Sequence, residues 1–569
     1  TICSLIIIYC KRRIIYSLCT EIVDYNICIV FFIGVLTVSF VCYCCNNLIP
    51  NGSVEANTYY NDNLYWIGNT IELEMNFPPV DFRVCTREFH YHYFSNIQLA
   101  VIGLLSRVPA IEIGFVYSWV QIDLMLVLGT YCFLNKILKK WYLVLTGMFI
   151  LLFTAGFEND VIIGVVQYLY YARFGYDVAF AFSLFCMYLM YIQLSKKFDI
   201  KIFLLTLLAF ICLLGSKSAT GAIVLCGMGM ICLYWLFIER DLKKSFGYGI
   251  WLLLLFFGMY LIFFTGNNAQ TLSVTTTQSN ALSILQYPPI TEVFLNIGKL
   301  VNDNYILQNI FFIVWLCFKS QGIIFWFFSV GILIKWFFVR KFEIIDVSCV
   351  FITFVGMVCT RLLKHFGYSQ VYFIMATFPF ALLFGLRAFD ELTKLYKEFP
   401  QKKFLRVISG AIVVVSLFFL GQGVMNFYDG DKSYLGQKLE QACERLVNPD
   451  YQVPIDHNYT TQEDLEAYIW IRENTESKSL LLSDQILVQE YTRVPYAAAV
   501  FMERHLFMVQ NPDLVKRCMD NDASAIEELR ENGVDYIIQT KSFSPKFEPS
   551  NLQCQLVYET ETLAIYKIK

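Results

Sequence analysis

The chain is 569 residues long, 57% hydrophobic and 17% aromatic, with only 16% charged and a formal net charge of -3. A soluble domain carries about a quarter charged residues, so water is excluded as the main solvent, and the near-neutral balance excludes a broadly basic nucleic-acid surface. What remains is a chain whose long apolar runs lie in a bilayer, where crossing about 30 Å of hydrocarbon takes about 20 residues per helix.

Residues 1–10 open without a Met and read as the stump of a longer N-terminal region, in which no cleavable leader is legible. About eleven apolar spans follow, at 27–46, 110–135, 141–157, 177–194, 202–215, 219–238, 246–265, 321–338, 344–360, 371–388 and 405–427. Between them the basic marks fall at every second loop: Lys11 to Arg13, Lys136 to Lys140, Lys196 and Lys197, Lys243 and Lys244, Arg340 and Lys341, and Lys394 to Arg406. Lys and Arg prefer the cytoplasmic side of short loops. The first span therefore starts in the cytoplasm, and residues 47–109, 266–308 and everything after 428 lie outside. Most of the nineteen cysteines sit inside apolar runs, where Cys behaves as a small hydrophobe. Cys85, Cys443, Cys518 and Cys554 fall in outer segments without a spacing pattern that supports pairing.

The expected fold is thus an α-helical polytopic membrane region over 1–428, with a soluble α/β domain over 429–569. In the latter, Glu463–Asn474 has helical apolar spacing, 479–483 reads as a buried strand, and 523–531 as a helix closed by Gly533. A strand follows over 534–538, and a hairpin closes the chain over 554–569.

The first outer segment, YNDNLYWIGNTIELEMNFPPVDFRVCTREFHYHY over residues 60–93, is crowded with carboxylates and aromatics. Asp62 precedes Tyr65, Trp66 and Ile67 in a short helix expected along the membrane surface, and Pro78 with Pro79 breaks it. Glu72, Glu74, Asp81 and Glu88 read as surface acids or ion-pair partners of Arg83 and Arg87. His92 is either packed between Tyr91 and Tyr93 as an interfacial anchor or engaged with a substrate. The acids and histidines match no standard metal-ligand spacing, so no metal ligand is assigned, although a divalent cation is compatible with them.

The acid after the first span, the PPxD element (Pro78, Pro79, Asp81) and the Tyr91-His92-Tyr93 triplet resemble the first outer loop of bacterial GT-C membrane glycosyltransferases. These are similar to the dolichyl-phosphate-mannose protein mannosyltransferases and aminoarabinose transferases. The helix number, the Trp470–Asn474 stretch and the GVDYII strand extend the resemblance over nearly the whole chain. It implies transfer of a sugar from a polyprenyl-phosphate carrier, with Asp62 as catalytic base. Asn61 and Asn63 flank Asp62, where many GT-C enzymes carry two adjacent acids.

The chemistry asks for little else. A sugar on a lipid phosphate already has a good leaving group, so the protein must deprotonate an acceptor hydroxyl and stabilise the departing phosphate. Basic residues that break the inside-positive pattern supply the second part: Arg173, Lys217, Arg361, Lys364 and His365. Their alternative role is contact with anionic headgroups of membrane lipids. With Asp81, Glu88, His92 and Tyr93 they complete the expected substrate-binding set, facing one extracytoplasmic cavity with Asp62. Residues 266–308 are either a lid over that site or a mobile loop. Asp123, inside the second span, costs about 2.5–3.5 kcal/mol on insertion scales unless partnered.

The expected function is inverting transfer of a sugar from a polyprenyl-phosphate donor to a glycan, lipid or protein acceptor outside a cell membrane, with no nucleic acid involved. The alternatives are a flippase of a lipid-linked glycan and a non-catalytic glycan-binding membrane protein. Asp123 aside, the spans lack the mid-membrane polar residues that transporters concentrate on broken helices.

Overall fold

The computed structural model describes residues 25–46, 61–82, 84–89, 91–154, 173–264, 282–365, 370–398, 403–429, 434–448, 462–484, 496–507, 512–547 and 553–569. The chain packs as two compact units. Of the described residues, one comprises those within 25–40, 120–264 and 282–440, and the other those within 41–119 and 441–569. The first outer segment therefore groups with the C-terminal region, not with the apolar helices.

In the helical unit, every expected span coincides with a described helix. Seven helices are long and apolar enough to cross a membrane: Ser118–Ile137, Gly175–Leu194, Ser218–Glu239, Leu242–Phe263, Ile344–Leu362, Val371–Leu395 and Val407–Tyr428. Shorter apolar helices include Trp141–Phe153 and Ile200–Ser216. The chain is a multi-pass membrane protein. The unforeseen helices include Pro288–Leu300, within the segment expected as a lid or loop, and Tyr305–Gln321, which precedes Ile323–Leu333 with only Gly322, at φ 51°, between them.

Close helix contacts depend on missing side chains. A Cβ on Gly385 would stand 2.6 Å from the backbone of Phe327, and one on Gly227 would stand 2.3 Å from Ile352. Beyond packing, one end of the unit is held by charge. Asp346, fully buried, accepts Lys335 Nζ at 2.8 Å, Arg387 Nε at 2.7 Å and the Glu343 amide at 3.0 Å. The last bond belongs to a capping box that starts the Ile344–Leu362 helix. Lys335 also meets Glu391 at 2.5 Å, and Arg387 meets Glu343 at 2.8 Å. Lys140 and Lys394 both pair with Asp390 on the same Phe378–Glu398 helix.

The second unit contains a five-stranded sheet in the order His505–Leu506, Leu480–Ser483, Tyr536–Thr540, Leu563–Ile568, Cys554–Glu559. The first two pairings are parallel and the last two antiparallel. The Gln462–Asn474 and Ala523–Glu531 helices lie where their apolar spacing put them, and Gly533 takes φ +77° after the second. One side of the sheet buries Leu465, Tyr468, Ile471, Ala498 and Phe501 together with Leu64, Ile67 and Ile71 of the Asn61–Met75 helix. That helix was expected on a membrane surface; its apolar stripe is covered by protein instead. The described cysteines are all free.

Stripping one partner from a buried ion pair costs about 3–5 kcal/mol. Asp346→Leu, which leaves Arg387 and Lys335 without their shared carboxylate, should therefore lower the detergent unfolding midpoint more than Lys335→Met, after which Arg387 still serves Asp346. Equal shifts for the two variants would show that Asp346 is not the centre of the network.

Candidate functional site

Basic residues gather at the other end of the Ile344–Leu362 helix. Nineteen residues separate its ends, a length of about 28 Å at 1.5 Å per residue. Lys217 links the Ile200–Ser216 and Ser218–Tyr234 helices in an extended conformation, φ -157° and ψ 96°. Its ammonium is nearly buried and lies 3.6 Å from the centre of the Tyr372 ring. Tyr372 belongs to the Val371–Met375 turn of helix, which follows Gln370, whose carbonyl accepts the Thr360 hydroxyl at 3.3 Å. Tyr176 touches the same turn, its ring 5.9 Å from Tyr372 and its hydroxyl donating to the Met375 carbonyl at 3.2 Å.

Arg173, which opens the Tyr176 helix, thus starts near Lys217 at this end. Arg361, in the last turn of Ile344–Leu362, donates from Nε to Asn309 at 2.9 Å and lies 5.4 Å from the Phe294 ring centre. Lys364 and His365 form a short antiparallel pair with Leu282 and Ser283, just ahead of the Pro288–Leu300 helix. Arg361 and Lys364 make no ion pair among the described residues. The side chains of Arg173 and His365 lie outside them.

At the opposite end of this unit Lys335 and Arg387 pair with Asp346; at this end Lys217 and Arg361 lie beside aromatic rings. An aromatic face attracts a cation without cancelling its charge. Such a cluster can pair with a phosphate: Arg through a two-pronged contact, Lys as a point charge.

In the second unit, Asp62 lies in the first turn of the Asn61–Met75 helix, its side chain outside the described residues, as is that of Glu88 in the Val84–Glu88 strand. His92 is buried, its ring 3.8 Å from Tyr91 and 5.7 Å from Trp66. Tyr93 is buried too, which pushes its phenol upward, and its carbonyl accepts the Asn96 and Ile97 amides at the start of Phe94–Ser106. Asp81 is buried rather than a surface acid.

Two acids of this segment have partners that sequence spacing did not indicate. Glu72 is fully buried; its Oε2 lies 2.5 Å from His505 Nε2, and its Oε1 accepts from Asn76 Nδ2 and the Val80 amide, each at 3.1 Å. Glu74 lies against Gly103 with its Oε1 buried and unsatisfied, and burial, then the charge of Glu503, push its carboxyl up to about 7. The one available sequence signal is positional: Glu72 follows Ile71 at the edge of the Leu64, Ile67 and Ile71 stripe. Among the described residues no group of three or more His, Cys, Asp or Glu side chains is arranged to hold a metal ion, and no step below is routed through one.

Fold and site together define a multi-pass helical membrane protein with an associated α/β unit and a cationic end. No protein family and no curated protein matches the chain. It is similar to solved structures of an oligosaccharyltransferase from Archaeoglobus fulgidus. The apo form gives a TM-score of 0.48 at 10% identity, covering 89% of this chain and 69% of that one. The complex with an inhibitory peptide and a dolichol-phosphate gives 0.47 at 10% identity, covering 95% and 74%. The form tethered to an acceptor peptide gives 0.46 at 9% identity, with the same coverage of 95% and 74%.

Asn96 fixes the aromatic cluster: fully buried, it donates from Nδ2 to the Trp66 carbonyl at 2.6 Å and to Thr70 Oγ1 at 3.0 Å. Asn96→Ala should cost about 1–3 kcal/mol, the penalty for buried polar groups left without partners. A thermal unfolding midpoint unchanged by the substitution would show that this bond does not hold the two helices together.

Proposed function

We propose that this chain is a glycosyltransferase of the GT-C class, transferring a sugar from a polyprenyl-phosphate donor to an extracytoplasmic acceptor with inversion. What supports the reading is that Lys217 lies over the Tyr372 ring, that Arg361 and Lys364 lie at the same end of the Ile344–Leu362 helix, and that Arg173 opens the helix that carries Tyr176. The opposite end carries Lys140, Lys335, Arg387 and Lys394, each paired with carboxylates. The concentration of Lys and Arg at that opposite end fits a cytoplasmic face there.

In this reading, Asp62 accepts the proton of an acceptor hydroxyl as its oxygen attacks the anomeric carbon. The bond to phosphate oxygen breaks on the opposite face of the sugar, its electron pair leaves with the lipid phosphate, and the configuration inverts. The basic residues stabilise the phosphate charge that develops. Asp81, Glu88, His92 and Tyr93, and separately His365, are the remaining proposed substrate contacts.

The test is transfer by the purified chain from a panel of polyprenyl-phosphate sugars to glycan, lipid and peptide acceptors. Asp62→Asn should lower kcat by about 10²–10⁴-fold, the range for loss of a general base, with the unfolding midpoint unchanged. Arg361→Ala should instead raise KM for the donor. Movement of a lipid-linked sugar between leaflets without a new glycosidic bond would replace the reading with a flippase.

A further inference from the structure

The groups between the Asn61–Met75 helix and the Glu503–His505 turn have no part in the chemistry above. Both elements belong to the second unit, and the helix packs against Tyr496–Met502, which leads into that turn. Residues alternate across the contact: Glu72 meets His505, while Glu74 faces Glu503. The Phe82 ring stands edge-on to His505 at 5.8 Å and closes one side.

The other charged groups around the contact are few. Arg472, in the last turn of Gln462–Asn474, lies 3.7 Å from Glu503. Arg504 donates to the carbonyls of Arg472 and Thr475, each at 2.7 Å, and of Glu503 at 2.9 Å. Asp81 is buried beside Phe82, and Glu112 of Ala110–Glu112, which packs on the helix, is exposed. Phe94–Ser106 presents Gly103, an uncharged surface, to Glu74.

We infer that Glu72, Glu74, Glu503 and His505 form a proton-dependent clasp that seats the Asn61–Met75 helix on the C-terminal sheet, and that Glu74 and His505 are positioning residues for Asp62 in its first turn. The link to Asp62 rests on the transferase reading; the clasp itself does not.

The direction follows from linkage. The Glu74 carboxyl rises from 4.5 to about 7 on folding, through burial first and Glu503 second. Glu503 is also raised, by burial against the opposing charges of Arg472 and Arg504. Between about pH 4.5 and 7 the seated form therefore binds more protons than the released form, and its stability falls as pH rises. The penalty is absent below that window and complete above it. The Glu72–His505 contact, Oε2 to Nε2 at 2.5 Å, is the geometric half of the clasp and holds the helix to the turn beside the Glu74–Glu503 pair.

Hydrogen exchange of the full chain in detergent, corrected for the intrinsic pH dependence of exchange, tests the clasp. Amides of residues 62–75 should be about tenfold better protected at pH 6 than at pH 8, one unit of differential protonation being a factor of ten. Glu74→Gln, close to isosteric, should remove most of that difference by raising protection at pH 8. His505→Gln, which removes the contact to Glu72, should lower protection at both pH values. A flat wild-type profile, a Glu74→Gln variant that keeps the wild-type difference, or a His505→Gln variant with wild-type protection overturns the clasp.

In the transfer assay His505→Gln should lower kcat with little change in donor KM, and Glu74→Gln should shift the pH profile; an unchanged kcat and an unchanged profile overturn the positioning role. Absent transfer at every pH with the exchange pattern intact would remove the transferase reading and leave the clasp standing.

Discussion

A helix of fifteen residues is marginal by itself in water, and Asn61–Met75 is such a helix. Its order depends on Leu64, Ile67 and Ile71 entering the same core as Leu465, Tyr468, Ile471 and Leu481. Burying each such side chain contributes about 1.5–3 kcal/mol, which offsets the conformational entropy lost. The consequence is topological: residues 41–119 and 441–569 form one folded body although the apolar helices intervene in sequence. Whatever the first outer segment does, it does from a frame built by the end of the chain.

The helical unit obeys a different constraint. A bilayer interior offers no water to unpaired charge, so ionisable groups there are tied off or displaced toward the ends. The Asp346 network is tied off, each of its members meeting opposite charge. Lys217 and Arg361 lie beside rings instead. The first arrangement locks helices together and spends its electrostatics internally.

How much of this was legible depends on whether a signal is local. Apolar run length located the eleven spans, because the bilayer imposes the length directly. The Tyr305–Gln321 helix escaped because Gln308 and Asn309 near its start and Lys319 to Gly322 at its end interrupt the apolar run. Gly322 also turns the chain straight into the next helix. In the C-terminal region the Gly533 stop and the closing hairpin were legible from turn chemistry. The first outer segment was misread for a physical reason. Spacing showed Glu72 and Asp81 as polar residues in a polar stretch, while Glu72 is buried against His505, 433 positions away. No period along the chain encodes a contact of that range. Arg173, Lys217, Arg361, Lys364 and His365 stand out in the sequence because, against the expected alternation of spans, they break the preference of Lys and Arg for the cytoplasmic side, and a broken rule is itself a local signal.

Glu72 and Glu74 show how partners, not residue type, set the behaviour of an acid. Both stand on one helix two positions apart, yet Glu72 has a donor at each oxygen while Glu74 has one oxygen buried without any. The difference originates in the facing turn, which offers an imidazole to one and a second carboxyl to the other. That turn is itself constrained: Glu503 holds φ 50°, a conformation that costs a non-glycine residue about 1–2 kcal/mol. Arg504 maintains it by spanning the turn carbonyls and the end of the Gln462–Asn474 helix in a single fork of donors. A turn held this firmly cannot swing Glu503 away when Glu74 ionises. The repulsion must then act on the helix, the element whose seat depends on side-chain contacts alone.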